Sequence, residues 1–268
     1  MAVQSKHPLP NLPRRNPVMR KRADLVLVEK KIAPSRQQAR HLIMQSAISV
    51  AGTLITKPGQ LIDSDAPIEI SGQGPRWVGR GGEKLARAFQ MFALPDCKNI
   101  IAADIGASTG GFCDVLLSRG AGRIYAVDVG HGQLAAKLAQ DSRIINLEQL
   151  NAKDITSSHI PELLDIVVCD LSFISVTKAL SPVLGLVRQG GHLVCLVKPQ
   201  FEAGRQMVGK KGVVKSPVAH HQAIEIVTSF IDGLGGWQCA GLASSPITGA
   251  EGNQEFLLHA VLTGRDSV

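Results

Sequence analysis

The chain has 268 residues, of which 44% are hydrophobic and 19% are charged. This composition supplies a sizeable core and excludes disorder of the whole chain, and the length fits one large domain or one medium and one small domain. The formal net charge is +7, and residues 1–40 alone hold ten basic and two acidic side chains. Such a local basic excess is typical of a surface that binds nucleic acid or another polyanion.

The five cysteines are widely spaced and include no C-x-x-C pair. We therefore expect no disulfide framework and no metal site, and a reducing, cytoplasmic location. Residues 1–25 are basic and rich in proline, without the apolar segment of a signal peptide. The longest uncharged stretch, residues 233–250, is rich in glycine and polar residues, so it is not a membrane span.

The N-terminal part of the chain predicts an arm followed by a small domain. Residues 1–21 carry four prolines and no hydrophobic periodicity, which indicates a disordered basic arm. Residues 22–82 are predicted to form a small α+β domain that ends in a glycine-rich linker over residues 71–82.

Within this small domain, a helix and short strands follow one another. Ser35 is placed to cap a helix from which Arg36 and Arg40 project together. The apolar face of that helix consists of Ala39, Leu42, Ile43 and Ala47. Residues 48–62 and 66–70 then alternate in the manner of short strands, with turn signals at Ala51-Gly52 and Pro58-Gly59.

From residue 83 to residue 268 the pattern changes to buried strands that alternate with helix-length segments. Such near-continuous apolar runs indicate a doubly wound α/β fold with a mostly parallel sheet covered on both faces. The predicted strands are residues 99–106, 123–130, 143–149, 164–173 and 191–199, followed by 239–246 and 253–262.

The turn after the first of these strands, residues 104–112, is the expected cofactor loop, because ligands bind at the carboxyl ends of strands in such folds. Its glycine spacing is neither the G-x-G-x-x-G of a dinucleotide site nor the G-x-x-x-x-G-K-[ST] of a nucleoside triphosphate site. An acidic residue followed by a glycine loop suits S-adenosylmethionine, which is cationic. The expected cofactor contacts are Asp104, Gly106, Ala107, Ser108, Thr109, Gly110, Gly111 and Phe112.

Later strand ends add further cofactor contacts. Asp128, which ends the second strand, is placed for its carboxylate to accept both ribose hydroxyls, and Val129 follows it. After the third strand, residues 151–154, beginning with Asn151, are placed to contact the adenine edge. Asp170, which ends the fourth strand, faces the same pocket. The alternative is that all of these are ordinary turn residues.

Charged residues at the strand ends suggest the chemistry. Asp170 and Lys198 end neighbouring strands, and the alternative for each is a surface charge that extends out of a buried strand. A ribose hydroxyl is a poor nucleophile, so an enzyme must orient it or remove its proton. A lysine can accept that proton only if its pKa falls well below about 10.4. Lys84 and Glu255 are candidates to position such a lysine.

Methylation of a base would demand other residues. Methylation at cytosine C5 needs a cysteine nucleophile, but Cys169 and Cys195 lie within strands and are expected in the core. Methylation of an exocyclic amine is accompanied by an Asn/Asp-Pro-Pro-aromatic turn, and here the corresponding segment reads DLSF without prolines. The absence of these prolines weakens the hypothesis of amine methylation, although Phe173 is an aromatic residue able to stack on a flipped base.

The segment RADLVLVEKKIAPSRQQARHLIMQSAISVAGTLITKPGQLI resembles the S4 RNA-binding domain. It departs from the usual S4 pattern at Ser46, where glycine is common, and at Ala51, where asparagine is common. The later segments RGGEKL, DIGASTGGF, DVGHGQL, DLSFIS, LVKPQFEAG and GNQEFLLHA resemble the TlyA family, also called the hemolysin A family. Its members join an S4 domain to an FtsJ-like methyltransferase domain with a seven-stranded, Rossmann-like sheet. The two resemblances cover about residues 22–262.

The family resemblance implies S-adenosylmethionine-dependent 2'-O-methylation of cytidine in ribosomal RNA, in the 16S RNA, the 23S RNA or both. Its catalytic Lys-Asp-Lys-Glu tetrad falls on Lys84, Asp170, Lys198 and Glu255. In this family resemblance, Lys198 acts on the ribose hydroxyl, and Lys84 and Glu255 orient Lys198. Asp170 lies between cofactor and substrate. The implied partners are ribosomal RNA and ribosomal subunits, and no membrane.

RNA contacts are expected in two places. In the S4 domain, the resemblance implies contacts by Arg22, Arg36, Arg40 and Lys57. A second basic cluster in the loop after Lys198 comprises Arg205, Lys210, Lys211 and Lys215, of which the first three are expected to contact phosphates. A solvated loop is the alternative for this second cluster.

Two other functional classes remain open from sequence alone. One is a non-catalytic ribosome-binding or assembly factor that retains the fold. The other, suggested by the name hemolysin, is a membrane-active protein. The sequence shows no secretion signal, membrane span or long amphipathic basic helix, which disfavours the second class.

Overall fold

The computed structural model describes residues 19–33, 35–44, 48–70, 77–209, 212–249 and 252–264. The chain divides into two compact units, Met1–Pro75 and Arg76–Val268. Each unit has its own hydrophobic core among the described residues. The two units are therefore described one at a time.

The N-terminal unit packs two helices against small antiparallel sheets. Its elements are β1 (Arg20–Arg22), α1 (Ala23–Glu29), α2 (Arg36–Met44), β2 (Ile48–Val50), β3 (Thr53–Leu54), β4 (Leu61–Asp63) and β5 (Ile68–Ile70). Strand β1 pairs with β4, and β2 lies between β3 and β5. Ala39 and Ile43 of α2 are fully buried in the core of this unit.

Local signals in this unit behave as the sequence predicts. The Ser35 hydroxyl oxygen accepts the backbone N–H of Gln38 at 3.2 Å, which is a helix N-cap. Ala51 and Gly52 have φ values of +47° and +74° and join β2 to β3 in a two-residue hairpin. Ala47, predicted on the apolar face of the helix, lies outside the described residues, as does Ser46.

The predicted arm over residues 1–21 is too long at its carboxyl end. Arg20 and Lys21 belong to β1, where they pair with Asp63 and Ile62 of β4. The Lys21 ammonium also lies 2.7 Å from the Glu29 carboxylate. The strand was missed because it has only three residues, RKR, and carries no hydrophobic alternation. Residues 1–18 lie outside the described part of the chain.

The C-terminal unit is a seven-stranded sheet with helices on both faces. Its strands are β6 (Ile101–Ile105), β7 (Arg123–Val127), β8 (Ile144–Leu147), β9 (Leu164–Cys169), β10 (Val187–Val197), β11 (Trp237–Ser244) and β12 (Phe256–Leu262). Its helices are α3 (Gly81–Met91), α4 (Gly111–Ser118), α5 (Ala136–Ala139), α6 (Val176–Ala179), α7 (Ser181–Leu184), α8 (Pro199–Glu202) and α9 (Pro217–Asp232), with short 3₁₀ turns at Ala152–Asp154 and Arg205–Met207.

The strand order is β11-β12-β10-β9-β6-β7-β8. Strands β6 to β10 run parallel, whereas β12 is antiparallel to both β10 and β11. The carboxyl ends of the parallel strands therefore share one edge with the beginning of β12, since Phe256 pairs with Val197. The predicted doubly wound, mostly parallel fold and its seven strands are confirmed.

Alternation along each strand sends side chains into two cores. Ala103 and Ile105 of β6 face a core that includes the buried face of α9, whereas Ala102 faces a core with residues of α3 and α4. Burial on both faces explains why these strands read as continuous apolar runs in the sequence. All five cysteines are free thiols, and Cys169 and Cys195 are fully buried in the sheet as expected.

The predicted linker over residues 71–82 requires a correction. Trp77 is 7% exposed and belongs to a core of the C-terminal unit, and Gly81 and Gly82 begin α3. A side chain at Gly82 would collide with the indole of Trp77. The glycine content of this segment predicts a linker, but Gly82 instead permits close packing against Trp77. Residues 71–76 lie outside the described part of the chain.

In the part of the chain that the structure describes, none of the helices is long and apolar enough to cross a membrane. The same residues contain no cluster of histidine, cysteine and acidic side chains suited to hold a metal ion.

Candidate active site at the carboxyl edge of the sheet

The loop between β6 and α4 brings its backbone close to neighbouring elements. Gly106 has a φ of +84°, and a Cβ atom there would lie 2.9 Å from the carbonyl oxygen of Asp170. Gly110 has a φ of +91° and precedes the first residue of α4. Only glycine adopts such backbone angles at low cost. The loop therefore offers an open backbone surface at the carboxyl edge of the sheet.

Asp104 lies beneath this loop and is 1% exposed. Its Oδ2 accepts hydrogen bonds from the backbone N–H and the thiol of Cys113, both at 3.1 Å. Its Oδ1 is buried and accepts no hydrogen bond from any described residue. Burial raises the pKa of Asp104 to about 7, against the Cys113 hydrogen bonds and with help from the nearby carboxylates of Asp170 and Asp128.

Asp128 follows β7 and is held by backbone amides. Its Oδ2 accepts the Ser108 N–H at 2.8 Å, and its Oδ1 accepts the Gly130 N–H at 2.7 Å. This geometry fixes the carboxylate beside the glycine loop, and each oxygen keeps a lone pair for a further hydrogen bond. Asn151 caps the short turn at Ala152–Asp154 through its own Oδ1.

The other predicted cofactor residues differ in their exposure. Ser108 and Val129 are exposed, and Thr109 is half-buried. Ala107 and Phe112 are 7% and 3% exposed and belong to the core on the α3 side of the sheet. Phe112 therefore supports α4 and α3 from below rather than presenting its ring at the open surface of the loop.

The start of α3 packs directly on the glycine loop. A Cβ atom at Gly111 would lie 2.9 Å from the Gly82 nitrogen, and one at Gly79 would lie 2.5 Å from the Thr109 hydroxyl. Asp114 of α4 reinforces this contact by accepting the Val78 N–H at 2.9 Å. Close backbone packing thus carries Lys84, one helical turn further on, to the carboxyl edge of the sheet.

Four charged side chains from four separate segments meet at this edge. The Lys84 Nζ lies 2.9 Å from Asp170 Oδ2 and 2.6 Å from Glu255 Oε2. The Lys198 Nζ lies 2.6 Å from Asp170 Oδ1. Asp170 and Lys198 directly follow β9 and β10, and Glu255 directly precedes β12. The structure therefore brings together all four predicted catalytic residues, which span the sequence from residue 84 to residue 255.

Burial makes this network electrostatically strong. Lys84 and Lys198 side chains are each 7% exposed, and that of Asp170 is 18% exposed. Burial by itself would raise the pKa of Asp170, but the two lysines outweigh it and lower that pKa below its usual value. Asp170 is therefore an anion that bridges two cations, and removal of either lysine would leave buried charge uncompensated.

Ser172 is a neighbour of Lys198 that the sequence reasoning did not single out. Its hydroxyl oxygen accepts a hydrogen bond from Lys198 Nζ at 2.9 Å, and its side chain is exposed. Lys198 thus already contacts an alcohol oxygen on its open side. The DLSF segment was recognised in the sequence, but nothing in it indicated which side chain turns toward Lys198.

Phe173 follows with an unusual backbone. It has a φ of +68°, and its side chain is 92% exposed. Its ring lies 5.5 Å from that of Phe201, centroid to centroid, at an angle of 50°. A large apolar ring held in the solvent by a left-handed backbone is a candidate stacking surface.

The predicted RNA-contacting residues are exposed wherever the structure describes them. Arg22, Arg36, Arg40 and Lys57 of the N-terminal unit are exposed, as are Arg205 and Lys215 of the C-terminal unit. Lys210 and Lys211 lie outside the described residues. Arg22 and Arg36 share one partner, Asp24, which the sequence reasoning missed; its Oδ1 lies 3.0 Å from Arg22 Nε, and its Oδ2 lies 2.9 Å from Arg36 Nε.

The sheet order, the glycine loop after its first parallel strand and the acidic residues around that loop define the class of Rossmann-like methyltransferases, for which S-adenosylmethionine is the cofactor. Comparison with known proteins narrows this class. The family described as FtsJ-like methyltransferase matches residues 77–261, and the S4 domain matches residues 21–68.

Individual relatives match most of the chain. The Bacillus subtilis protein provisionally named rRNA methyltransferase YqxC is 42% identical over 241 residues, covering 90% of this chain and 85% of the relative. The 16S/23S rRNA (cytidine-2'-O)-methyltransferase TlyA of Mycobacterium tuberculosis is 40% identical over 240 residues, covering 89% of each. A solved Streptococcus thermophilus structure, provisionally described as a hemolysin, has a TM-score of 0.71 and 38% identity over 93% of this chain and 90% of its own.

The chain belongs to the FtsJ-like methyltransferase family, in the TlyA group that also carries an S4 domain.

Proposed function

We propose that this chain is an S-adenosylmethionine-dependent ribosomal RNA methyltransferase that acts on the 2'-hydroxyl of cytidine. The observation that carries the proposal is the buried network of Lys84, Asp170, Lys198 and Glu255 at the carboxyl edge, beside the glycine loop. The name of the related Mycobacterium tuberculosis TlyA supplies the substrate class. We further propose a cytoplasmic location, where ribosomal RNA is found.

The residues present fit the cofactor. Asp104 has a buried oxygen that no described residue satisfies, and the carboxylates of Asp128 and Asp170 lie near enough to raise its pKa. Such a negative edge suits a sulfonium cation. The fixed carboxylate of Asp128 would hold the ribose, and the loop backbone from Gly106 to Gly110 would pass close to the methionine part. When bound, the cofactor supplies an electrophilic methyl group.

The chain's own residues then have to prepare the nucleophile. Lys198 reaches an alcohol oxygen at 2.9 Å in Ser172, so it can orient a ribose hydroxyl that takes the same side. Asp170 holds Lys198 in place, and Lys84 with Glu255 holds Asp170 from the other side. The oxygen that gains the methyl group must lose its proton to water, and the Lys198 ammonium would stabilise the negative charge that develops on that oxygen.

Substrate RNA would be held by other surfaces. The exposed arginines of the N-terminal unit and Arg205 are suited to phosphate contacts, and Lys210 and Lys211 belong to the same proposal from sequence. Phe173 offers an exposed ring on which a splayed base can stack, as is common in recognition of single-stranded RNA.

The test is methyl transfer from labelled cofactor to ribosomal RNA and to ribosomal subunits, followed by mapping of the modified ribose. Lys198→Ala is expected to lower the rate at least about 100-fold while RNA affinity stays unchanged. Lys98→Ala is the matched control, because Lys98 is exposed and precedes β6 at the opposite edge of the sheet.

Full transfer by the Lys198→Ala variant would refute this mechanism. Failure of the unmodified protein to transfer methyl to either substrate, with RNA binding retained, would favour the non-catalytic assembly factor instead.

A further inference from the structure

Glu202 is a buried carboxylate that the proposed chemistry does not use. It lies at the end of α8 and is 8% exposed. Its Oε2 accepts a hydrogen bond from the Ser175 hydroxyl at 2.5 Å, and its Oε1 accepts the Val176 N–H at 2.9 Å. Burial raises the pKa of Glu202, and only these two hydrogen bonds and the charge of Lys178 oppose the rise. A carboxylate in so apolar a place is costly unless its contacts repay the cost.

The positions of these residues in the chain show what the contacts join. Glu202 follows Lys198 by one helical turn, and Ser175 lies a few residues after Asp170. The Glu202 hydrogen bonds therefore connect the end of the loop after β9 to α8. Asp170 begins that loop, Lys198 directly precedes α8, and the two form the 2.6 Å ion pair.

The loop after β9 is thus held at both ends by residues 198–202, which comprise Lys198 and α8. At its start, Asp170 and Ser172 contact Lys198. At its end, Ser175 and Val176 contact Glu202. Between the two fastenings lies Phe173, with its positive φ. A strained and exposed residue keeps such a conformation only where the surrounding structure holds it.

We propose that Glu202 is a positioning residue, whose carboxylate holds the loop after β9 against α8 so that Asp170, Ser172 and Lys198 keep their relative positions for the reaction. This inference rests on the proposed methyl transfer. A purely local role is the alternative, because Ser175 also caps α6. A local role would affect stability but would leave the rate at the reacting atom unchanged.

The variants separate these roles. Glu202→Ala removes both hydrogen bonds, whereas Glu202→Gln keeps an acceptor for the Val176 N–H and a polar group for Ser175. Ser175→Ala removes the hydrogen bond to Glu202 and also the cap of α6, in which the Ser175 hydroxyl oxygen accepts the Thr177 N–H. Glu162→Ala is the matched control, because Glu162 is also a hydrogen-bonded glutamate, but it precedes β9 at the opposite edge and contacts Arg123 and Tyr125.

In kinetics, Glu202→Ala is expected to lower kcat about 30-fold or more, with cofactor affinity and RNA affinity within about twofold of the unmodified protein. Glu202→Gln should recover most of that loss. Ser175→Ala should lower kcat no further when it is added to Glu202→Ala, because the hydrogen bond between Ser175 and Glu202 is already lost and the α6 cap affects only stability. Glu162→Ala should leave kcat unchanged. A folded Glu202→Ala protein with kcat within twofold of the unmodified protein would overturn the inference.

Hydrogen exchange gives a second reading that does not need activity. Glu202→Ala should speed exchange of the backbone amides of residues 171–176, whereas residues 106–111 of the glycine loop should exchange as before. If the unmodified protein transfers no methyl group, the proposed function fails, and this exchange pattern still decides the positioning role. Unchanged exchange over residues 171–176 would overturn it.

Discussion

Each unit of the molecule contains one carboxylate that holds two basic side chains, but the two arrangements are reversed in their exposure. In the N-terminal unit the acid, Asp24, is fully buried, and the side chains of Arg22 and Arg36 are 44% and 56% exposed. In the C-terminal unit the bases are hidden, since Lys84 and Lys198 are each 7% exposed, while Asp170 is 18% exposed.

The difference teaches how the same pairing serves two purposes. The exposed arginines keep about half of their surface for a polyanion, and the acid behind them only fixes their direction. Buried lysines cannot contact an extended backbone, but in a poorly hydrated site they act strongly on one nearby atom. We therefore expect changes around Asp24 to alter RNA affinity and changes around Asp170 to alter the rate of methyl transfer.

Asp104 differs from both of these carboxylates, because it is buried and forms no ion pair with a described basic residue. Its ionisation gives the largest effect that we expect, a dependence of folding stability on pH. Its pKa is about 7 in the folded chain, raised by burial from a value of 3.8. Between these values the folded state holds a proton that the unfolded state has released, so stability falls as pH rises from about 4 to about 7. The loss is on the order of 4 kcal/mol above pH 7.

Denaturant unfolding at pH 5 and at pH 8 measures this loss. Both tryptophans, Trp77 and Trp237, lie in the C-terminal unit, so their fluorescence reports on that unit. Asp104→Asn is the reference, because the pKa of His259, which burial lowers to about 4, changes stability over part of the same range in both proteins. An equal pH dependence in the two proteins would show that Asp104 is ionised throughout.

The next largest effects are expected when one basic side chain of each unit, Lys84 or Arg36, is replaced by methionine. One replacement should change the methyl-transfer rate and the other the RNA affinity. Lys84→Met should lower the methyl-transfer rate about 100-fold and leave RNA affinity unchanged, because Asp170 and Glu255 lose their shared cation. Arg36→Met should weaken RNA binding and leave the rate at saturating RNA unchanged. The comparison fails if either variant changes both quantities to the same degree.

The smallest expected effect concerns Asp24 itself. Asp24→Asn makes the N-terminal unit more positive, yet it should weaken RNA binding about fivefold, because Arg22 and Arg36 lose the carboxylate that fixes them. Glu29→Gln is the matched control: it makes the same charge change on the same helix, at an exposed residue. It should leave affinity equal or slightly higher, since net attraction grows.

RNA titrations at several salt concentrations distinguish the two variants. The salt dependence should weaken for Asp24→Asn and not for Glu29→Gln. If Asp24→Asn binds as tightly as Glu29→Gln, overall charge governs affinity, and the arginine geometry does not matter.

The sequence predicted the sheet well, because its buried strands are long apolar runs and three of its four catalytic candidates directly adjoin strands, whereas Lys84 lies in α3. Lys84 and Glu255 are distant in sequence, and they were predicted to share a site on the basis of the proposed chemistry and the family resemblance. Ser172, Glu202 and Asp24 were missed, because each owes its importance to a contact made only in three dimensions. Strand β1 and the packing of Trp77 were missed because short polar strands and glycine-rich segments resemble loops.

The position of β12 has a consequence for synthesis of the protein. This strand comes after the other six in the chain, but it lies between β10 and β11 in the sheet. Glu255, which directly precedes it, is the second carboxylate that neutralises Lys84. A nascent chain translated only through β11 therefore has a gap in its sheet and an incompletely paired buried lysine. Methyl transfer becomes possible only when the final strand inserts, so prematurely terminated chains are expected to be inactive and poorly folded.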